Sequence, residues 1–343
     1  MNRYLIIQTA FLGDTLLTLP MVQSLAKLHP HSLIDIVTLP ANMEVFKLSP
    51  HINEVIPYDK RGAEKGILGV LKLARKITRA GYSKVFVPHR SARSSMLAYF
   101  SRVPSISFDK SALSFLYDEL VEYDGATHEV ERNLRLLTNN TEQWRDEPLL
   151  TFDAIDKSKI DDIIGESKQV IAIAQGSVWE TKKYPLNNYI RVADALIERG
   201  FTIAIIGSKS EIQDTNTILK KLPEESVIDV AGRLSISESV YFLSRCTALI
   251  SNDSAPTHMG VMAGIPVLTI YCSTIPEFGF FPYNRGSKFL SFNGLECKPC
   301  GIHGRKECPL GTFECAVKIE PSEVLAEVLS MVNKKANEFS SDN

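Results

Sequence analysis

The chain lacks the features that would tie it to a membrane core or to the commonest nucleotide and hydrolase motifs. No apolar stretch in its 343 residues approaches the roughly 20 residues needed to span a bilayer. The apolar run after Arg3 is interrupted by Gln8 and Asp14, too little for the core of a secretory signal. These absences predict a soluble cytoplasmic protein with no transmembrane segment, at most peripheral to a membrane surface. Gly-x-Gly-x-x-Gly and Gly-x-x-x-x-Gly-Lys-Ser/Thr are both missing, which removes a dinucleotide fingerprint and a P-loop. The absence of Gly-x-Ser-x-Gly argues against a hydrolase elbow. There is no repeat of fixed period and no low-complexity segment beyond the polar C-terminal tail.

What is present is an alternation of short apolar strands with helical stretches, in a chain 44% hydrophobic and long enough for two cores. That alternation predicts an α/β fold with parallel, doubly wound sheets. The first half carries strands at 4–8, 33–38 and 84–88 and helices near 14–28, 66–80, 91–101 and 128–139. Residues 140–166 are polar and read as a hinge. Strands at 169–174, 201–206, 227–230, 247–251 and 266–271 then alternate with helices near 187–199, 209–221, 236–245 and 254–263. The expected domains are 1–155 and 166–320, followed by a C-terminal helix and polar tail at 321–343.

Candidate site residues fall where strands give way to helices, the places at which open α/β sheets bind ligands. Asn252-Asp253-Ser254-Ala255-Pro256-Thr257-His258 joins the apolar run Ala248-Leu249-Ile250 to a helix. The unpaired N–H groups at such a helix start favour a diphosphate; taken alone, Asp253 or Ser254 there reads as a plain N-cap, and the other loops shift the reading toward a ligand. Gly13-Asp14 follows the first strand in the same way, offering a carboxylate as a base or, again, as a cap. Gln175 to Pro185 supplies Ser177, Thr181, Lys182 and Lys183, groups suited to diphosphate oxygens. Glu211, one turn beyond Gly207-Ser208, is placed to accept hydrogen bonds from a ribose.

The formal charge of −2 hides an uneven distribution. Residues 60–110 contain twelve Lys or Arg against Glu64 and Asp109, a net of +10, which attracts anions. Lys72, Arg75, Lys76 and Arg79 read as the solvated face of a helix whose apolar positions are Ile67, Leu68, Val70, Leu71, Leu73, Ala74 and Ile77. Arg90 and Arg93 instead follow the strand Val85-Phe86-Val87 and are candidates for binding an anionic substrate. The segment lacks aromatics interleaved for base stacking, so nucleic acid is not the expected partner. Cys246 and Cys272 lie in apolar runs and read as core. Cys297, Cys300, Cys308 and Cys315 form a C-x2-C-x7-C-x6-C array, which fits either a structural zinc or iron site or four reduced thiols packing an irregular loop.

Taken in order, Phe11 to Pro20, Pro88 to Ser94, His128 to Asn133, Gly176-Ser177 through Lys182-Lys183-Tyr184-Pro185, Asn252 to His258 and the cysteine segment resemble the glycosyltransferase family 9 heptosyltransferases, the heptosyltransferase II group most of all. The resemblance runs from about residue 3 to about residue 330. It implies a GT-B architecture, two Rossmann-like doubly wound domains facing a central cleft, with the acceptor on the first and the nucleotide-sugar on the second. It also implies an inverting transferase that needs no metal for catalysis and moves a heptose from an ADP-sugar donor to the anionic inner core of lipopolysaccharide at the inner membrane surface. By position, Asp14 matches the catalytic base and Lys182 the diphosphate contact. Ser177, Asp253, Ser254, Ala255 and His258 match the donor segment, with Glu211 toward the nucleoside and Ala255 standing where relatives often have Gly. A family 9 transferase with another donor or acceptor, including a protein heptosyltransferase, and an inactive nucleotide- or glycan-binding module are the alternatives. The joint presence of Asp14, Lys182 and Asp253 argues against the inactive module.

Overall fold

The computed structural model describes residues 2–165 and 169–341, with side chains through residue 333. The chain divides into two compact units after Thr151. The expected start of the second domain at residue 166 and the last two residues of the expected tail lie outside the described residues.

The first unit runs β1 (Arg3–Gln8), α1 (Leu12–Leu16), α2 (Leu19–Leu28), β2 (Leu33–Thr38), α3 (Met43–Lys47), β3 (Glu54–Pro57), α4 (Gly66–Arg79), β4 (Lys84–Phe86), α5 (Ala92–Ser101), β5 (Ser105–Phe108), β6 (Glu119–Val121) and α6 (Glu129–Arg135). Its six strands are all parallel, in the order β3-β2-β1-β4-β5-β6. The second unit runs α7 (Lys157–Ile164), β7 (Val170–Ala174), α8 (Leu186–Ile197), β8 (Thr202–Ile205), α9 (Ile212–Leu219), β9 (Val227–Asp229), α10 (Ile236–Ser244), β10 (Ala248–Asn252), α11 (Ala255–Met262), β11 (Val267–Tyr271), β12 (Lys288–Ser291), α12 (Glu314–Val317) and α13 (Pro321–Ser341). It repeats the same topology as β9-β8-β7-β10-β11-β12. In each sheet the order reverses between the first strand and the fourth, β1/β4 and β7/β10, and the crevice outside their carboxyl ends is where doubly wound sheets take ligands.

The central strands are continuous apolar runs because both faces of a parallel sheet are covered. Leu5, Ile6 and Ile7 of β1 and Ala248, Leu249 and Ile250 of β10 are fully buried. The expected strands correspond to β1, β2, β4 and β7 to β11. The sequence reading missed β3, β5, β6 and β12, each of only three or four residues, too short to show a period. The single helix expected at 14–28 is two. α1 ends at Leu16 and α2 begins at Leu19 with Pro20 in its first turn, where the missing N–H cannot continue the ladder. Thr18 Oγ1 fills the break by donating to Asp14 O at 2.8 Å, while Gln8 Nε2 donates to Thr18 Oγ1 at 2.9 Å. Part of the expected hinge is helical, because Asp156 caps α7 by accepting from Lys159 N.

α4 also departs from the reading. Val70, Leu73, Ala74 and Ile77 are buried in the first core, but Ile67, Leu68 and Leu71 are 49%, 78% and 41% exposed. A helix can bury only one stripe, and these three residues lie off it.

At the amino edge of the first sheet, away from the strand ends that bind ligands, the fully buried Asp35 carboxylate gathers three elements. It accepts from Arg3 Nε at 2.6 Å, Asn53 Nδ2 at 2.8 Å and Tyr82 Oη at 2.8 Å. Asp35→Ala leaves these donors unpaired and is expected to destabilise the fold by about 3 kcal/mol, read as a lower urea midpoint. An unchanged midpoint would show that the cluster contributes nothing to stability.

Candidate functional site

In the second unit, Asn252 at the end of β10 ties the loops of the switch point together. Its Oδ1 accepts from Tyr184 N and Tyr189 Oη, both at 2.9 Å, and its Nδ2 donates to Gln175 O at 2.7 Å. This brings Lys182, on the loop after β7, to Asp253, on the loop after β10: Nζ to Oδ2 is 2.6 Å, with both side chains nearly buried. Thr274 Oγ1 donates to the same oxygen at 2.6 Å. Asp253 is therefore an ion-pair partner and not a helix cap. Ser254 stands at the N-cap position of α11 but its side chain makes no capping bond; Thr257 N instead donates to Ser254 O at 3.1 Å.

Four residues after Ser254 in α11, buried His258 keeps its Nδ1 without a partner among the described residues. Burial, outweighing the pull of Asp253, lowers its pKa to about 4, so the ring is neutral at physiological pH. Gly176 lies in close approach to Glu211, whose carboxylate would have to shift to admit a Cβ there. One Glu211 oxygen closes a capping box with Ser208, accepting from its N at 2.6 Å and its Oγ at 2.9 Å. The other lies against Gly176. Ser177 Oγ accepts from Trp179 N at 3.3 Å, and Ala255 opens α11, half-exposed beside Ser254. All seven candidate donor residues thus gather at one sheet edge.

The cysteine segment closes over this loop. Arg305 N donates to Thr181 Oγ1 at 2.7 Å, Thr181 N donates to Arg305 O at 3.1 Å, and Cys300 N donates to Ser273 O at 2.8 Å. Cys308 is held below the usual thiol range by backbone N–H groups of Phe313, Leu310, Gly311 and Thr312, whereas burial pushes Cys315 up to about 11. The four thiols feel one another's charge. Among the described residues, however, no three His, Cys, Asp or Glu are gathered closely enough to ligate a metal ion.

In the first unit, Asp14 sits in the first turn of α1, whose N-cap position is Phe11. It too is no cap. Asn133 Nδ2 donates to Leu17 O at 3.3 Å, joining α6 to the turn after α1. Glu129 of α6 is buried and paired with Arg132 at 2.8 Å, and it feels the charge of Asp14 and of Arg90. Arg90 lies 3.9 Å from the centre of the Tyr123 ring, and Arg132 lies 5.0 Å from the same centre. Arg90 is exposed. Arg93 is half-buried and donates to Lys60 O at 2.7 Å, while Lys60 Nζ donates to Thr9 O at 2.6 Å. Beside them His89 is brought down to about 4 by burial, Lys60 and Arg90.

Asp14, Arg90 and Arg93 therefore share the carboxyl edge of the first sheet, with Arg93 half-buried and bonded to the loop at Lys60 and Arg90 exposed. The sequence reading gave Asn252 no role within the loop it singled out, and it missed Thr274, Lys60, Tyr123 and the Glu129–Arg132 pair as parts of these sites. His128 to Asn133 stood out as a motif, but nothing in the spacing of Glu129 and Arg132 tells a buried pair near the base from an exposed helical one.

The model of glycosyltransferase family 9 (heptosyltransferase) matches residues 70–311, more than half of the chain. Lipopolysaccharide heptosyltransferase 2 of Salmonella typhimurium is 22% identical, over 97% of this chain and 99% of the relative. Among solved structures, a family 9 glycosyl transferase from Veillonella parvula superposes with a TM-score of 0.83 at 22% identity, covering 97% of this chain and 98% of that one. The ADP-heptose lipopolysaccharide heptosyltransferase II of E. coli superposes with a TM-score of 0.79 at 20% identity, covering 98% and 100%.

Burial, opposed by Arg132 and reinforced by Asp14, raises the Glu129 pKa to about 7. A carboxyl raised on folding stabilises the folded state fully below its unfolded pKa of about 4.5 and loses that contribution as pH rises through about 7. Glu129→Gln stays neutral, so its stability relative to the parent is expected to increase from pH 4.5 to pH 7 in urea titrations. Parallel pH profiles for parent and variant would contradict the burial of a titrating carboxyl beside Asp14.

Proposed function

The chain belongs to glycosyltransferase family 9, and on that footing we propose that it transfers a heptose from ADP-heptose to the inner core of lipopolysaccharide, working at the cytoplasmic face of the inner membrane. The observation that carries the proposal is the Lys182–Asp253 ion pair beside the uncapped start of α11. It presents one ammonium beside the start of a helix, a setting suited to a diphosphate. Asp253 holds Lys182 in place until the donor arrives. Glu211, against Gly176, keeps one oxygen turned to that loop for a ribose hydroxyl.

In the reaction proposed, the acceptor oxygen forms a bond to the anomeric carbon while that carbon's bond to the diphosphate oxygen breaks, inverting the configuration. The hydroxyl proton passes to the Asp14 carboxylate. ADP departs with the electron pair, its developing charge met by Lys182 and the start of α11. The exposed Arg90, held against Tyr123, is suited to the carboxylates and phosphates of an inner-core acceptor. No step runs through a metal. The cysteine array is proposed to act structurally, holding the donor loop through Arg305 and Thr181. As placed, the sulfurs do not form a ligand set, so a bound zinc or iron would require the segment to tighten, and elemental analysis of the purified chain decides between a metal site and four thiols.

Asp14→Asn keeps the shape of the side chain and removes the proton acceptor, so ADP release in the presence of acceptor should fall roughly 100-fold or more with ADP affinity unchanged. Near-parent turnover would remove Asp14 from the role of base. Lys182→Ala both deletes a charge-assisted contact and leaves the Asp253 carboxylate facing the diphosphate, so calorimetry should show ADP binding weaker by about tenfold or more. Unchanged ADP affinity would place the diphosphate elsewhere.

A further inference from the structure

We propose that the exposed face of α4 docks the chain on an anionic phospholipid bilayer. The observation is the company that its exposed apolar residues keep. Leu68, Leu71, Lys72, Arg75, Lys76 and Arg79 line one shallow depression along the helix, on the side away from buried Val70, Leu73, Ala74 and Ile77. Positions 68, 71, 72, 75, 76 and 79 recur every three or four residues and so share a face. Leu68 is 78% exposed and Ile67 49%. A lone exposed leucine is ordinary, but three apolar side chains grouped beside four cations on one helix are not.

The charges are just as lopsided. From Lys65 to Arg79 the chain has no acid, and among the described residues Lys72, Arg75 and Arg79 form no ion pair. Lys76 reaches Glu54 only at 3.5 Å, with both side chains exposed. Such a face complements an anionic interface, where leucine tips enter the headgroup boundary and cations meet phosphates. A nucleic-acid backbone would match the charges and leave the leucines in water. A protein partner is less well served, because α4 offers no Trp, Tyr or other aromatic anchor. The inference rests on the proposed function only in that a lipid-borne acceptor makes such docking useful; vesicle binding and ADP release are read separately.

The test is cosedimentation of the full chain with phosphatidylcholine vesicles, with and without about one third phosphatidylglycerol. The parent is expected to pellet with the anionic vesicles only and to be released by high salt. Lys72→Glu/Arg75→Glu should weaken binding by at least tenfold, on the order of fivefold or more per cation lost. Leu68→Ser/Leu71→Ser should weaken it at unchanged charge. Lys220→Glu/Lys221→Glu, exposed in the second unit, should bind as the parent does, and all three variants should keep the parent's ADP release from a detergent-dispersed acceptor. The proposal is overturned if the parent ignores anionic vesicles, if the α4 variants bind as it does, or if the Lys220/Lys221 variant is weakened as much. It is also overturned if the α4 face proves to be a self-interface, the parent sedimenting alone as a dimer that the leucine variant dissolves. Vesicle binding without any ADP release from ADP-heptose would leave the docking face standing and remove the transferase reading.

Discussion

The donor site depends on the four buried hydrogen bonds that the Asn252 side chain makes at the end of β10. The loops after β7 and β10 have separate origins in the chain, and parallel strands bring their starts together without fixing where their side chains lie. Asn252 fixes both. It holds the backbone at Gln175 on one side of the loop and at Tyr184 on the other, leaving Lys182 only one short span in which to reach Asp253. Buried amide groups rarely go unpaired, so the Asn252 carboxamide defines one loop arrangement against alternatives that would orphan it.

The two edges of the first sheet show opposite uses of buried charge. At the amino edge, Asp35 is saturated by Arg3, Asn53 and Tyr82 and serves only stability. At the carboxyl edge, buried Glu129 feels the charges of Arg132, Asp14 and Arg90. Arg132 is committed to Glu129, leaving Arg90 exposed over Tyr123.

Much of this was legible beforehand because parallel sheets write their central strands as apolar runs and their ligands at the following loops. Asp14, Lys182 and Asp253 each stand at such a loop, and the family resemblance follows from their order. Their partners were hidden. The contacts of Thr274 with Asp253 and of Arg305 with Thr181 join segments with no common local pattern, and Glu129 looks like any acid on an amphipathic helix. The helical period of α4 was visible, but too many apolar residues competed for its buried stripe. Only packing decided that Val70, Leu73, Ala74 and Ile77 go in while Leu68 stays out. The short strands β3, β5, β6 and β12 were beyond any periodicity.

The central claim is that the nucleotide diphosphate sits at the switch point of the second sheet, on Lys182 and the start of α11. Hydrogen–deuterium exchange of the chain with and without ADP tests it most directly. The account predicts slowed exchange at the amides of residues 176–183 and of Ser254, Ala255, Thr257 and His258, and none at residues 9–14. Protection confined to the loops of the first sheet, with the 254–258 amides unchanged, would contradict it.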